Sequence, residues 1–432
     1  MILVNFKLLH PADQIIMIMK RIYGYGMTTT SGGNLSIRDK NGDIWITPGA
    51  IDKGSLTRKD IIRVKPDGTI IGQHKPSSEF PFHKLVYEKR PDLKAVLHAH
   101  PPALVAFSII RKIPNTRLIP SVENVCGDVG MAEYGLPGSE SLGEKIADVF
   151  ETGINTVILE NHGIVIGGND LFETFMSFET LDFSSRLEIK ANQIGEPIEL
   201  SSMEMELAKN KKSADMEEFE GKYFSSEERD SRREMCELIH RAYDQNLFTS
   251  TQGTFSQRLS KNSFIITPYG VDRKYIEVED IVRIENGKKE AGKSPSHSVL
   301  MHKLIYEKHP HINSVIIAHA PNIMAFAVTD IDFDSRTIPE SYVLLRDVKK
   351  LPFGSTFIEP EKLAKVFQED TPIALVANDC VIVTGTNLIN AFDRLEVAEY
   401  SAKAIIATKS IGKIVTIDES KIDDLKEAFK LQ

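Results

Sequence analysis

Ile15, Ile18 and Met19 fall at i, i+3 and i+4, a spacing that predicts an amphipathic helix near the start of the chain. A Gly-rich turn follows, then a predicted strand at Leu35-Ser36-Ile37 and another running to Ile46. A helix is predicted from about Phe82 to Lys89, then a strand ending in His98-Ala99-His100, closed by Pro101-Pro102. A long irregular stretch comes next. Thr156-Val157-Ile158-Leu159 and Ile164-Val165-Ile166 flank Asn161-His162-Gly163, a hairpin whose tight turn presents His162. The last element is a helix starting near Asp170, a plausible N-cap, with Leu171, Phe175 and Phe178 on its apolar side.

The pattern then repeats. His83-Lys84-Leu85-Val86-Tyr87-Glu88-Lys89 returns as His302-Lys303-Leu304-Ile305-Tyr306-Glu307-Lys308. Ile46-Thr47-Pro48 returns as Ile266-Thr267-Pro268, Asp60-Ile61-Ile62-Arg63 as Asp280-Ile281-Val282-Arg283, and Ala99-His100 as Ala318-His319. The offset stays near about 220 residues, far above solenoid periods, so a whole domain is duplicated. The first domain is placed at 1–205 and the second at 226–432. A charged, Gly- and Pro-poor linker, partly helical, joins them at 206–225, with the boundary near 215; its charges include Lys209-Asn210-Lys211-Lys212 and Glu217-Glu218.

Composition narrows the function classes. The 432 residues are 41% hydrophobic and 26% charged, as in a globular protein with ample core. A net charge of −9 favours neither nucleic acid nor an anionic membrane as a partner, and no apolar run is long enough to span a bilayer. The N-terminal apolar patch is broken by Asp13 and Lys20 and lacks a signal-peptide layout. Three cysteines, Cys126, Cys236 and Cys380, form no CxxC pair and fit a reducing compartment. The expectation is a cytoplasmic protein.

Side chains alternate along a strand, so His98 and His100 share one face, close enough to hold one metal ion. With His162 they form a three-imidazole set that leaves a position open, the composition of catalytic zinc sites. Glu79, just before the helix that feeds the His strand, is the best nearby carboxylate. Ser77-Ser78 ahead of that helix, and the turn Ser31-Gly32-Gly33-Asn34, are candidate anion binders. The plainer readings are satisfied histidines, a helix cap and a simple turn.

Ser31-Gly32-Gly33-Asn34-Leu35-Ser36, Ile46-Thr47-Pro48, Pro76-Ser77-Ser78-Glu79, His98-Ala99-His100 and Asn161-His162-Gly163 occur in one order. Together they resemble the class II aldolase/adducin family, over about 8–200 strongly and over 226–415 in decayed form. The resemblance implies two tandem α/β domains, each a three-layer α/β/α sandwich with a mixed, mostly antiparallel central sheet. It implies that His98, His100 and His162, with Glu79, bind Zn²⁺ or another divalent metal such as Mn²⁺ or Co²⁺. Glu79 would also be the proton-transfer base, and Gly33, Asn34, Ser77 and Ser78 would hold the substrate phosphate. The implied activity is that of a metal-dependent aldolase, an aldehyde-lyase cleaving a sugar phosphate or related ketose through a metal-stabilised enediolate. Epimerase, dehydratase and non-catalytic adducin-like interaction protein are the alternatives. Two departures bear on this: Gly49-Ala50 stands where the family has Ser/Thr-Gly, and Pro120-Ser121-Val122-Glu123 holds no Tyr where the aldolases carry a proton donor.

The second copy has diverged at the same positions. Asn34 becomes Thr254, Glu79 becomes Ser298, His98 becomes Ile317 and His162 becomes Asp379, while His100 persists as His319. One His and one Asp do not replace three His, so this copy is expected to lack the metal site. Its counterpart of the proton-donor segment holds Glu340 and Tyr342, which become candidate general acids for the first copy. A sugar or sugar-phosphate partner and a homodimer of two-copy chains, mimicking the family's four-domain ring, complete the expectation.

Overall fold

The computed structural model describes residues 6–211, 215–221 and 224–431. Lys212 of the charged run lies outside them. The chain divides into two compact units, 1–116 with 121–186, and 117–120 with 187–432.

In the first unit the opening helix is Pro11–Gly24. Pro11 takes the first helical position, where its missing N–H is no loss, and His10 Nδ1 accepts from Ala12 N at 3.2 Å. Ala12, Ile15, Ile18, Met19 and Ile22 are buried along its apolar stripe. Eight strands form one sheet: β1 Asn34–Arg38, β2 Ile44–Ile46, β3 Ile62–Val64, β4 Ile70–Ile71, β5 Ala95–Ala99, β6 Val129–Ala132, β7 Thr156–Leu159 and β8 Gly163–Gly168. Their order is β4-β3-β2-β1-β5-β8-β7-β6, and every pair is antiparallel except β6 with β7. The helices Phe80–Lys89 and Glu140–Glu151 pack together on one face, where Phe82, Val86, Val96, Ile146, Phe150, Val157 and Val165 share a core. Pro11–Gly24 packs against β1 and β2, and its Arg21 guanidinium lies over the Phe175 ring of the closing helix Leu171–Ile194.

The stretch read as irregular after His100 is in fact built. It holds helices Pro102–Ile109, Pro120–Cys126 and Glu140–Glu151 as well as β6. The Pro-Pro pair does end the strand, but Pro102 also opens a helix at its first position. That helix shows almost no periodic polar face, which is why its pattern was unreadable.

The second unit repeats the sheet with β9 Glu218–Phe219, β10 Thr254–Ser260, β11 Ser263–Ile266, β12 Val282–Glu285, β13 Lys288–Glu290, β14 Ser314–Ala318, β15 Val348–Leu351, β16 Ile373–Val376 and β17 Cys380–Gly385. The order is β15-β16-β17-β14-β10-β11-β12-β13-β9, with β15–β16 and β13–β9 the parallel pairs. The α/β architecture with two mixed sheets is thus the one expected. The register is conserved too: Asn34 pairs with His98 in the first sheet, and Thr254 with Ile317 in the second.

The boundary region differs from a plain linker. Residues 187–205, assigned above to the first domain, pack with the second unit, where Ile198 N donates to Val328 O at 2.7 Å. Asn378 Nδ2 donates to Ile198 O at 2.7 Å. Part of 206–225 joins the second sheet as β9, and the helix Ser202–Lys209 is opened by a capping box at Ser201 and Glu204. Among the described residues no helix is long and apolar enough to cross a membrane.

Candidate metal centre

β5 carries His98 inward at the sheet centre, and His100 follows just past its end. The turn between β7 and β8 brings His162 back to them. Asn161 takes φ 53° there, a conformation Asn tolerates. Gly163 is obligatory in this packing, because a Cβ on it would meet Ala99 O at 2.6 Å and His100 Cδ2 at 2.7 Å. One ligand atom from each of the three histidines lies within 4.8 Å of the others. The ring centroids of His98 are 4.5 Å from His100 and 4.8 Å from His162.

Glu79 sits at the N-cap of Phe80–Lys89 and faces the same point. Its Oε2 is 3.3 Å from His98 Nε2 and its Oε1 is 3.6 Å from His162 Nε2. His98 Nδ1 donates to Ile164 O at 2.9 Å, which fixes the tautomer and leaves Nε2 as a lone pair. Burial, and after it the neighbouring His162, lowers His98 to about 3; burial, then His98 and His162, lowers His100 to about 3 against the pull of Glu79. Burial also lowers His162. The imidazoles are therefore neutral at neutral pH, the form that ligates metals.

The consequence is electrostatic. A neutral imidazole lone pair and a carboxylate oxygen, both acceptors, face each other in a buried pocket. His98 Nε2 and Glu79 Oε1 have no hydrogen-bond partner. Buried acceptors left so are costly, about 1–3 kcal/mol each. A divalent cation between them satisfies all at once, so the residues present fit such an ion.

A buried polar chain stands behind Glu79. Tyr87 OH meets Ser36 Oγ at 2.9 Å, Ser36 Oγ meets His83 Nδ1 at 2.7 Å, and His83 Nε2 meets Asn34 Oδ1 at 2.5 Å. Asn34 must accept from His83 through its oxygen, so its Nδ2 is turned to donate to Glu79 Oε2 at 2.7 Å. This chain was missed in the sequence, although the repeat itself signalled it: Ser36, His83 and Tyr87 recur as Ser256, His302 and Tyr306.

The other candidates are placed as follows. Asn34 is buried beneath Glu79. Gly33, at φ +72°, lies against the His98 backbone, where a Cβ would stand 3.0 Å from His98 O. Ser77 is buried and its Oγ accepts from Glu79 N at 3.3 Å, while Ser78 is exposed beside them. A bridge between Pro48 and Pro76 brings Gly49 next to this corner, and buried Lys53 holds the loop by donating to Pro48 O at 2.6 Å. Glu340 and Tyr342 lie on the helix Pro339–Leu345 of the second unit, where Tyr342 lines a charged depression with Asp334, Arg336, Arg346 and Lys426.

The second unit keeps the polar chain and loses its end. Ser256 Oγ lies 2.6 Å from both His302 Nδ1 and Tyr306 OH. Thr254 turns its hydroxyl to Ser296 Oγ at 2.8 Å, and His302 Nε2 is left without a partner. Ile317 is buried in the apolar core, and Asp379 accepts from Thr356 Oγ1 at 2.5 Å. Among the described residues, the three-histidine group of the first unit is the metal-competent cluster found, and the second unit has none.

This architecture and site define a class. The family model "Class II Aldolase and Adducin N-terminal domain" matches residues 13–189 and again 233–406, and the chain belongs to that family as a tandem duplication. It is similar to an L-fuculose phosphate aldolase of Methanococcus maripaludis, 34% identical over 42% of this chain and 97% of that protein. A 3-oxo-tetronate 4-phosphate decarboxylase of Haemophilus influenzae is 30% identical over 40% of this chain and 85% of its own length. A 5-deoxy-D-ribulose 1-phosphate aldolase of Bacillus thuringiensis is 31% identical over 45% and 91%. A solved structure of an L-fuculose 1-phosphate aldolase aligns at TM-score 0.42 and 31% identity, covering 46% of this chain and 93% of that one.

Proposed function

We propose that the first copy is a divalent-metal-dependent aldolase acting on a sugar phosphate or related ketose. The family makes the chain a lyase. The observation that carries the finer reading is the buried confrontation of His98 Nε2 with Glu79 Oε2 at 3.3 Å. His98, His100 and His162 would hold the ion, with Glu79 as a fourth ligand or beside it. Zinc is the preferred metal, with manganese or cobalt compatible with the same donors. When bound, the ion supplies Lewis acidity to a substrate oxygen that gains charge as a carbon–carbon bond breaks.

The chain's own residues do the rest. Asn34 holds one oxygen of Glu79, which leaves Oε1 with no hydrogen-bond partner to take or return a proton. Ser78, with the backbone around Gly49 and Ser77, lines the corner suited to a substrate phosphate. Tyr342 and Glu340 are the candidates for protonating the leaving group. The cytoplasm suits three buried, unbridged cysteines. A dimer of two-copy chains is the proposed assembly.

The decarboxylase relative favours a second reading, loss of CO2 in place of an aldehyde, since both reactions leave negative charge on the same kind of carbon. Metal analysis followed by a screen of ketose phosphates, with aldehyde and CO2 assayed separately, decides between them. Absence of bound metal in protein purified without chelator would overturn both. If Tyr342→Phe and Glu340→Gln both leave turnover unchanged, neither is the proton donor.

A further inference from the structure

We propose that the second copy binds a small phosphate ester without any metal ion. The second unit has a cavity of about 620 Å³ where the first has its histidines. That volume lies in the range of small-molecule sites, roughly 300–1,000 Å³. Loss of the metal ligands therefore did not fill the site in.

The lining has changed in a coordinated way. Ile317 and Ser298 replace an imidazole and a carboxylate, so the second copy holds no confrontation of buried acceptors that calls for a divalent ion. A cation is present instead. Lys211, just beyond the helix Ser202–Lys209, lines the cavity, with its ammonium 5.4 Å from the centroid of Phe357. Burial disfavours protonation of His297 and His319, and the nearby Lys211 charge adds to it, against Asp379 at His319. Asp379 is the opposing charge, and its Oδ2 is engaged by Thr356. Arg273 adds a second cation, itself buried, which holds the loop through the carbonyls of Gly253, Val271 and Pro268.

Hydroxyls gather on the cavity wall. Thr254, Ser296 and Ser298 form a hydroxyl row at 2.8 and 3.0 Å, and Ser298 stands at the N-cap position of the ten-residue helix Val299–Lys308 without a side-chain capping bond. His319 lines the cavity, and its Nδ1 is enclosed without a hydrogen-bond partner. Leu300, Ile317, Phe357 and Ile358 line the remainder. Two cations, a hydroxyl row and an apolar remainder lining one cavity suit an ester of phosphate better than free phosphate.

The test uses the full chain stripped of metal with chelator and carrying Ser78→Asp, so that a carboxylate blocks the exposed phosphate corner of the first copy. Calorimetric titration with glycerol phosphate should then still show one equivalent bound, more tightly than inorganic phosphate. Lys211→Met, at an exposed position, should weaken it by at least about tenfold, and Lys211→Arg should restore most of the affinity. No binding to the stripped Ser78→Asp chain, or binding that Lys211→Met leaves unchanged, overturns the proposal. Neither outcome depends on what the first copy catalyses.

Discussion

The two copies share a strand register and a buried Ser–His–Tyr chain, and they part at the residue where that chain ends. In the first, His83 passes its hydrogen bond to Asn34 and so to Glu79 at the candidate metal centre. In the second, His302 Nε2 ends unpartnered behind Thr254. The Ser–His–Tyr part therefore belongs to the domain's core, which both copies need. Its last step, the amide that orients a carboxylate, belongs to the chemistry. A duplicated domain can shed the second while keeping the first.

The sharpest way to break this comparison is to write the second copy's residues into the first. His98→Ile should abolish stoichiometric metal and lower turnover by well over about a hundredfold, beyond the range seen for groups that only support a ligand. Metal analysis on folded protein checks it, and a retained equivalent of metal would refute the centre. Gly163→Cys copies Cys380 and should be next in size. Its Cβ would press on His100 Cδ2, so metal affinity should fall by at least about tenfold, read by competition with a chelator. Asn34→Thr frees Glu79 and strands His83. Roughly 10–100-fold in metal affinity or activity should go, together with about 1–3 kcal/mol of stability from the unpaired imidazole.

The reverse substitutions are gentler. Thr254→Asn should give His302 Nε2 an acceptor and raise stability by about 1 kcal/mol in a denaturant titration. A decrease would mean that Thr254 matters more to Ser296 than His302 does to the core. The smallest effect is at Ala50, which is held at φ 56° where the second copy has Gly270 at φ +71°. Ala50→Gly should relieve strain worth roughly 0.5–1 kcal/mol, visible as a higher unfolding midpoint.

Much of this was legible in the sequence because it depends on local period. Strand alternation put His98 and His100 on one face, and the hairpin pattern delivered His162 at its turn. The repeat allowed the copies to be aligned residue by residue, and the sheet pairings Asn34–His98 and Thr254–Ile317 agree with that alignment. The helix Pro102–Ile109 was not legible, since an apolar helix without a polar face has no period to read. Nor was the change in the boundary region, where β9 is recruited by β13, a strand far along the chain.

By itself, then, the sequence determined the duplication, the strand and turn that carry the three histidines, and which copy retained them. The tertiary structure alone decided that Asn34 turns to Glu79, that Gly163 must lack a side chain beside His100, and that Lys211 reaches the cavity of the second copy. These are contacts between segments tens of residues apart. Periodicity says which way a side chain faces, and only packing says what it meets there.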